Sequence, residues 1–347
     1  MKPSLSVTLD YELFLGVKSG TPENCLNTPT IHLLNLFRDY GVRATVFFDI
    51  LYYWRVLNGV SSNPALRADL DIIKTNVASF LKNGHELELH LHPHWLDATY
   101  AEGEWTFPHY KRFRLHSLKT DNNPSDINTI CGCITMGKRL LEDLCSETTP
   151  HYKVNAFRAG GWSLEPMKQL APYLKENGLT IDSSVAPGLV VQNAIHDVNF
   201  ESCPDKDGWR FEDDARVPTE NGSFKEIPIS TFKNDLITKC RSFWEKYTVE
   251  PNVKKIYGDG TAIPFPRSRF FQKMAPSVKI LTFENLTFFE MMRGFDSLVS
   301  RGHRRLVMAG HPKYVSPFAI SETERFFSVL RSRGVRFTPL TETASTL

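Results

Sequence analysis

The stretch Gly84-His-Glu-Leu-Glu-Leu-His-Leu-His-Pro-His-Trp95, residues 84–95, decides the reading of the chain. Glu86 to Leu89 reads as a β-strand, entered from a helix stop at Asn83-Gly84. Just past the strand end stand His90, His92 and His94, three imidazoles within five residues. Pro93 rules out a regular helix across them. A divalent ion requires converging imidazoles, and this cluster supplies them where a single histidine would more simply bond within a polar turn.

The same unit repeats on either side. A helix begins at Asn63-Pro64 and holds Leu66, Leu70, Ile73, Val77 and Leu81 on one stripe. Before it, Ser4 to Leu9 reads as a strand, Thr28-Pro29 starts a helix running to Tyr40, and Ala44 to Phe48 is a second strand. After it come a helix near Ser125 to Cys145, a strand Val154 to Phe157, a helix Leu164 to Asn177 and a short strand Thr180-Ile181. The end of the chain gives a helix Leu286 to Ser300, a strand Leu306 to Ala309, a helix Glu322 to Arg333 and a strand Val335 to Pro339. Alternation of this kind predicts an α/β fold with a parallel sheet and right-handed crossovers, open or closed into a barrel. Two stretches break it, about residues 93–123 and 202–269, and read as long excursions beside the active face.

Ionisable residues gather at the C-terminal ends of these strands, the face on which barrel enzymes build their sites. Asp10 and Glu12 follow the first strand, and either carboxylate could complete a two-histidine metal site while the other serves as base. Arg158, in Phe157-Arg-Ala-Gly-Gly-Trp162, could orient that base, and Gly160 and Gly161 permit close backbone approach. His311 suits protonation of a leaving amine, and Asp182 suits a partner that holds its ring. The aromatics of the first excursion, Trp95 to Phe113, either stack on sugar rings or form a miniature core.

Bulk properties narrow the classes. The formal charge of +2, from 41 basic and 39 acidic side chains, is too balanced for a phosphate-backbone binder, so no nucleic-acid partner is expected. No apolar run approaches the ~20 residues of a membrane helix, and no signal peptide opens the sequence. Six cysteines without zinc-ribbon spacing read as reduced thiols of a cytoplasmic chain. At 347 residues a single enlarged domain, 1–347, is expected.

Taken in order, these motifs resemble the polysaccharide deacetylase family, the NodB-homology fold of carbohydrate esterase family four. Thr8-Leu-Asp10-Tyr-Glu12 is similar to its first motif, Gly84-His-Glu86 through His94 to its second, Arg158 to Trp162 to its third, Asp182-Ser-Ser to its fourth and Val307 to His311 to its fifth. The resemblance implies a distorted (β/α) barrel of about seven parallel strands that removes an N-acyl group from an amino sugar of a surface polysaccharide or its precursor. It implies Zn²⁺ on Glu12, His90 and His94, Asp10 as base steadied by Arg158, and His311 as acid oriented by Asp182. Tyr11, His92, Trp95, Gly160, Gly161 and Trp162 then fall to substrate binding. The first motif departs from the usual adjacent aspartates, with Tyr11 between the carboxylates, and the metal role passes to Glu12. Two rivals stand beside this reading: an iron oxygenase with the same two-histidine, one-carboxylate set, and a sugar-binding scaffold that kept only the fold.

Overall fold

A computed structural model describes residues 2–192, 197–263 and 277–347. Its main sheet contains β1 (Ser4–Tyr11), β2 (Thr45–Asp49), β3 (Glu86–Leu91), β4 (Ala156–Ala159), β5 (Ile181–Asp182), β6 (Trp209–Phe211), β7 (Phe224–Glu226), β8 (Arg305–Gly310) and β9 (Arg336–Phe337). The spatial order is β6-β7-β5-β4-β3-β2-β1-β8, and β9 pairs with β1 below β2. Every pairing is parallel except that of β6 with β7. The curled sheet makes a half-barrel, and its open side is crossed by single strands of backbone. Ser230 N–H donates to the Val307 carbonyl, Leu281 to Ser230, and Ala309 to Leu281. The parallel sheet predicted from the strand–helix alternation and the distorted (β/α) barrel implied by the resemblance are therefore the fold observed.

Helices α1 (Thr28–Tyr40), α2 (Ile50–Gly59), α3 (Leu66–Lys82), α4 (Ile130–Ser146), α5 (Ala171–Glu176), α6 (Leu236–Tyr247), α7 (Phe288–Ser300) and α8 (Pro317–Ser332) surround it, followed by α9 (Leu340–Ser345). Strand alternation in β1 sorts its side chains. Leu5, Val7, Leu9 and Tyr11 belong to the main core, while Ser6, Thr8 and Asp10 are buried on the opposite, concave face. The concave side carries only a small apolar cluster, Phe47, Ala156, Ile227, Val307, Leu340 and Ala344. Helix α9 stoppers its lower end: Thr343 Oγ1 lies 2.8 Å from Ser6 Oγ, and Leu340 N–H donates to Thr45 Oγ1 at 2.8 Å. A polar interior with the bottom closed leaves the top as the place for chemistry.

The structure departs from the sequence reading in several places. The helix expected over 164–177 is reduced to α5 and a single turn at Met167–Gln169, because Pro166 and Pro172 remove amide donors and disfavour helix before them. Helix α2 went unread because it opens on an unbroken apolar run, Ile-Leu-Tyr-Tyr-Trp, which masks the exposed side at Leu57 and Asn58. The excursion 202–269 contains β6, β7 and α6, and its residues 264–269 lie outside the described residues. The excursion 93–123 opens with a 3₁₀ turn at Pro93–Asp97 and then a hairpin, Thr99–Ala101 against Glu104–Thr106.

Candidate active site

Parallel register sets the strand ends side by side: Asp10 is opposite Phe47, Asp49 opposite His90, His90 opposite Arg158, and Leu9 opposite Gly310. His90 and His92 stand two residues apart on extended backbone, so both rings lean to one face. The chain then turns at Pro93, and His94 swings away. The ligand atoms of Glu12, His90 and His92 lie within 4.8 Å of one another. The set brought together thus has His92 where His94 was expected.

The donor chemistry of this set fits a cation. His90 Nδ1 is 2.7 Å from the Arg158 carbonyl oxygen, which can only accept, so Nδ1 carries a proton. In a neutral ring Nε2 then aims a lone pair at Glu12 Oε2, 3.2 Å away. His92 Nε2 approaches the same oxygen at 2.6 Å. Lone pairs facing one carboxylate oxygen need a proton or a metal between them, and two imidazoles with one carboxylate are the donors of an open zinc site. Burial would push the Glu12 carboxyl up, but the Lys313 ammonium and the two imidazoles outweigh it and hold it well below the usual carboxylate range.

Lys313 was not anticipated from sequence. Its buried Nζ donates to Glu12 Oε1 at 2.8 Å and to the Leu13 carbonyl at 2.9 Å, and lies over the rings of Phe14 and Tyr314. One Glu12 oxygen is thereby occupied by the protein's own cation, and the other faces the histidines.

Asp10 is held as expected. Arg158, fully buried, donates Nη1 to Asp10 Oδ1 at 2.5 Å and to Thr8 Oγ1 at 3.0 Å. Its Nε and Nη2 bond the Ser183 carbonyl and hydroxyl, so the guanidinium has no freedom to swing. Burial opposes ionisation of Asp10, yet Arg158 prevails and lowers its pKa.

His311 reaches the same space from the end of β8. Its Nε2 is 3.4 Å from Glu12 Oε1 and 3.8 Å from Asp10 Oδ2. Nδ1 and the backbone N–H of His311 both donate to Glu284 Oε1, at 2.6 and 2.7 Å. Burial disfavours the imidazolium, but the Glu284 charge and bond prevail and raise its pKa. Glu284, and not Asp182, is the carboxylate bonded to His311. Asp182 bonds Ser184 instead, through its hydroxyl at 2.8 Å and its N–H at 2.9 Å, and faces the buried Glu226.

Other expected site residues divide sharply. Gly161 and Trp162 line the cavity, and Gly160 abuts it: a Cβ there would lie 2.8 Å from His92 Nδ1 and 2.6 Å from the Leu91 carbonyl. Tyr11 faces away, stacked on Phe48 with its hydroxyl accepting from Asn76 at 2.9 Å, because alternation along β1 puts it opposite Asp10. Trp95 is buried among Tyr52, Trp105 and Phe107 and donates to Asp49 at 2.7 Å. The first-excursion aromatics thus form the miniature core, with Phe113 alone reaching the cavity. His94 packs against Phe107, and burial depresses its pKa so that the ring is neutral. Asp49, missed although it ends β2, is raised to about 6 by burial.

The cavity above these groups has a volume of about 290 Å³. Asp10, Glu12, His90, His92, His311 and Lys313 form its polar floor, and its walls, including Phe14, Trp162, Val198 and Tyr314, are largely apolar.

No family profile matches the chain, and no curated protein is significantly similar to it in sequence. Solved structures are similar to it in fold. One is a provisionally assigned polysaccharide deacetylase from Mycobacterium smegmatis, at 13% identity and TM-score 0.49, covering 100% of this chain and 91% of that one. Another is the Bc1960 peptidoglycan N-acetylglucosamine deacetylase, at 10% and 0.41, covering 98% and 87%. A third is a pseudoenzyme of carbohydrate esterase family four from Bacillus anthracis, at 10% and 0.41, covering 98% and 65%.

Proposed function

We propose that the chain is a metal-dependent hydrolase that removes an N-acyl group, acetyl in the first instance, from an amino sugar of a surface polysaccharide or its precursor. The observation that carries this reading is the convergence of an Arg-held carboxylate, a two-histidine, one-carboxylate donor set and a carboxylate-held imidazole on one cavity.

Glu12, His90 and His92 would hold the ion, Zn²⁺ by donor type. When bound, such an ion activates a water and polarises the acyl oxygen. Asp10, kept ionised by Arg158, takes the proton of the attacking water. His311 carries a proton on the nitrogen facing the cavity and delivers it to the departing amine, with Glu284 fixing the ring. Phe14, Trp162 and Tyr314 supply apolar faces for a sugar ring, and a cavity of this size suits one sugar unit more than an extended polymer. Six unpaired cysteines, four of them buried, suit a reducing compartment, and we assign the chain to the cytoplasm. No helix among the described residues is long and apolar enough to cross a membrane.

The test joins metal analysis to turnover. Protein purified without chelator should hold about one divalent ion per chain and release acid from N-acetylated amino sugars. Asp10→Asn and His311→Ala should keep the ion and lose on the order of 10²-fold or more in turnover. Metal-free protein indifferent to added Zn²⁺, or near-normal rates in either variant, would overturn the reading.

A further inference from the structure

Helix α6 is amphipathic with its faces reversed. Its polar side is turned to the body: Thr238 and Ser242 are buried, Asp235 caps the helix through the Thr238 N–H at 2.8 Å, and Ser242 Oγ donates to the buried Glu290 at 2.6 Å. These bonds fix the rotation of the helix and leave its apolar stripe in solvent. Ile237, Phe243, Trp244 and Tyr247 are 75%, 64%, 64% and 70% exposed, and Leu236 47%. Their spacing of three and four residues forms one face. With Val253 in the turn beyond, this segment carries half of the large exposed hydrophobics among the described residues. Phe243, Trp244 and Tyr247 lie with ring centroids 6.1–6.3 Å apart, a small aromatic platform that is largely exposed among the described residues.

We propose that α6 docks this protein on an anionic lipid surface. The charge of the segment selects that occupant. Residues 233–255 hold six basic side chains against three acidic ones, a net +3 where the whole chain has +2, so the rest of the molecule is slightly negative. An aromatic and aliphatic face bordered by lysine and arginine is the composition of helices that lie in the headgroup region, with Trp and Tyr at the boundary. A second copy would bring the same net +3 against itself, whereas anionic headgroups neutralise it. Lys246 also lines a cavity of about 360 Å³ with Lys254, Glu284 and Tyr314. A docked α6 therefore holds the Glu284 flank of the active site beside the bilayer. The inference stands on the helix alone and not on the hydrolase assignment.

Co-sedimentation of the full chain with vesicles tests it. The protein should pellet with phosphatidylglycerol–phosphatidylcholine vesicles and remain in solution with phosphatidylcholine alone, and Trp244 emission should shift to the blue and be quenched by brominated lipid. The double variant Phe243→Ser, Trp244→Ser should bind the anionic vesicles at least tenfold more weakly, while Val17→Ser, at an exposed site elsewhere, binds as the parent does. Lys233→Glu with Lys255→Glu should weaken binding several-fold without altering the apolar face, which keeps the test valid if the first pair lowers the melting temperature. Equal partition onto neutral and anionic vesicles, no binding to either, or unchanged binding by both double variants would overturn the proposal. So would light scattering that finds a dimer abolished by Phe243→Ser, Trp244→Ser, since the face would then belong to a second copy.

Discussion

His90 is the residue whose surroundings leave least choice. The Arg158 carbonyl accepts the Nδ1 hydrogen bond of His90 while the Arg158 side chain holds Asp10, so one residue sets the tautomer of a proposed metal ligand and the charge of the proposed base. His92 has no such partner for Nδ1, and both nitrogens of His94 are buried without one. His92→Ala should therefore weaken zinc binding by 100-fold or more in a calorimetric titration, the scale of a lost imidazole ligand. His94→Ala should leave affinity within about threefold and instead lower stability by ~1–3 kcal/mol through the vacated space beside Phe107. Lys313→Met gives the opposite sign for the metal. Removing the ammonium from Glu12 frees the carboxylate from a competing cation, and zinc affinity should rise about tenfold, a modest share of a close charge–charge term. Asp10, Glu12 and His311 were legible because each follows a strand. Extended backbone brings His90 and His92 to one face, whereas the resemblance implies His94 as the second imidazole. Glu284 carried no such signal: it follows the second excursion, and only the closed half-barrel brings it to β8.

At the level of elements, the turn after β4 is the tightest part of the site. Gly160 packs against the Leu91 and Phe113 carbonyls and His92 Nδ1 at distances no Cβ tolerates. Gly160→Ala should cost ~1–3 kcal/mol by overpacking and displace the His92 ring, so that the melting temperature and zinc affinity fall together. A Gly161 substitution would meet a different obstacle, its φ of 58°. Elements with one wet and one dry face, such as α1 and α3, show their stripe in the sequence, and the barrel strands, buried on both faces, show as short apolar runs. The apolar run that opens α2 hides its stripe, and the prolines around α5 interrupt its period. Strands β6 and β7 have only three residues each; β7 takes its place by pairing with β5 and β6 by pairing with β7, contacts that local sequence does not encode.

Across the whole molecule, the concave interior stores protonatable groups far from solvent. Asp182 and Glu226 are buried together, and burial raises both carboxyls, Glu226 well above its ordinary value. A carboxyl whose folded pKa is raised favours the folded state only where it is protonated in both states. Its contribution is lost as pH climbs from the unfolded carboxylate range toward the folded pKa. Glu226→Gln, which mimics the protonated form, should be more stable than the parent at pH 8 by about 1 kcal/mol or more, and the difference should vanish near pH 4. Denaturant melts across that range decide it, and a variant less stable at pH 8 refutes the assignment.

Strand β1 has a consequence in time. It precedes every other strand of the sheet and is paired on both sides, yet the strand on one side of it, β8, begins about three hundred residues later. During synthesis β1 can pair with β2 early, but one edge, along with Asp10 and Glu12, must wait until Arg305–Gly310 has emerged. Contacts this distant in sequence make for slow closure and leave an unpaired edge exposed to neighbours meanwhile. Ribosome-bound chains arrested before residue 305 should thus be cut by protease within β1 and bound by chaperones. Release of the completed chain should bring protection of β1 and closure of the active site in a single step.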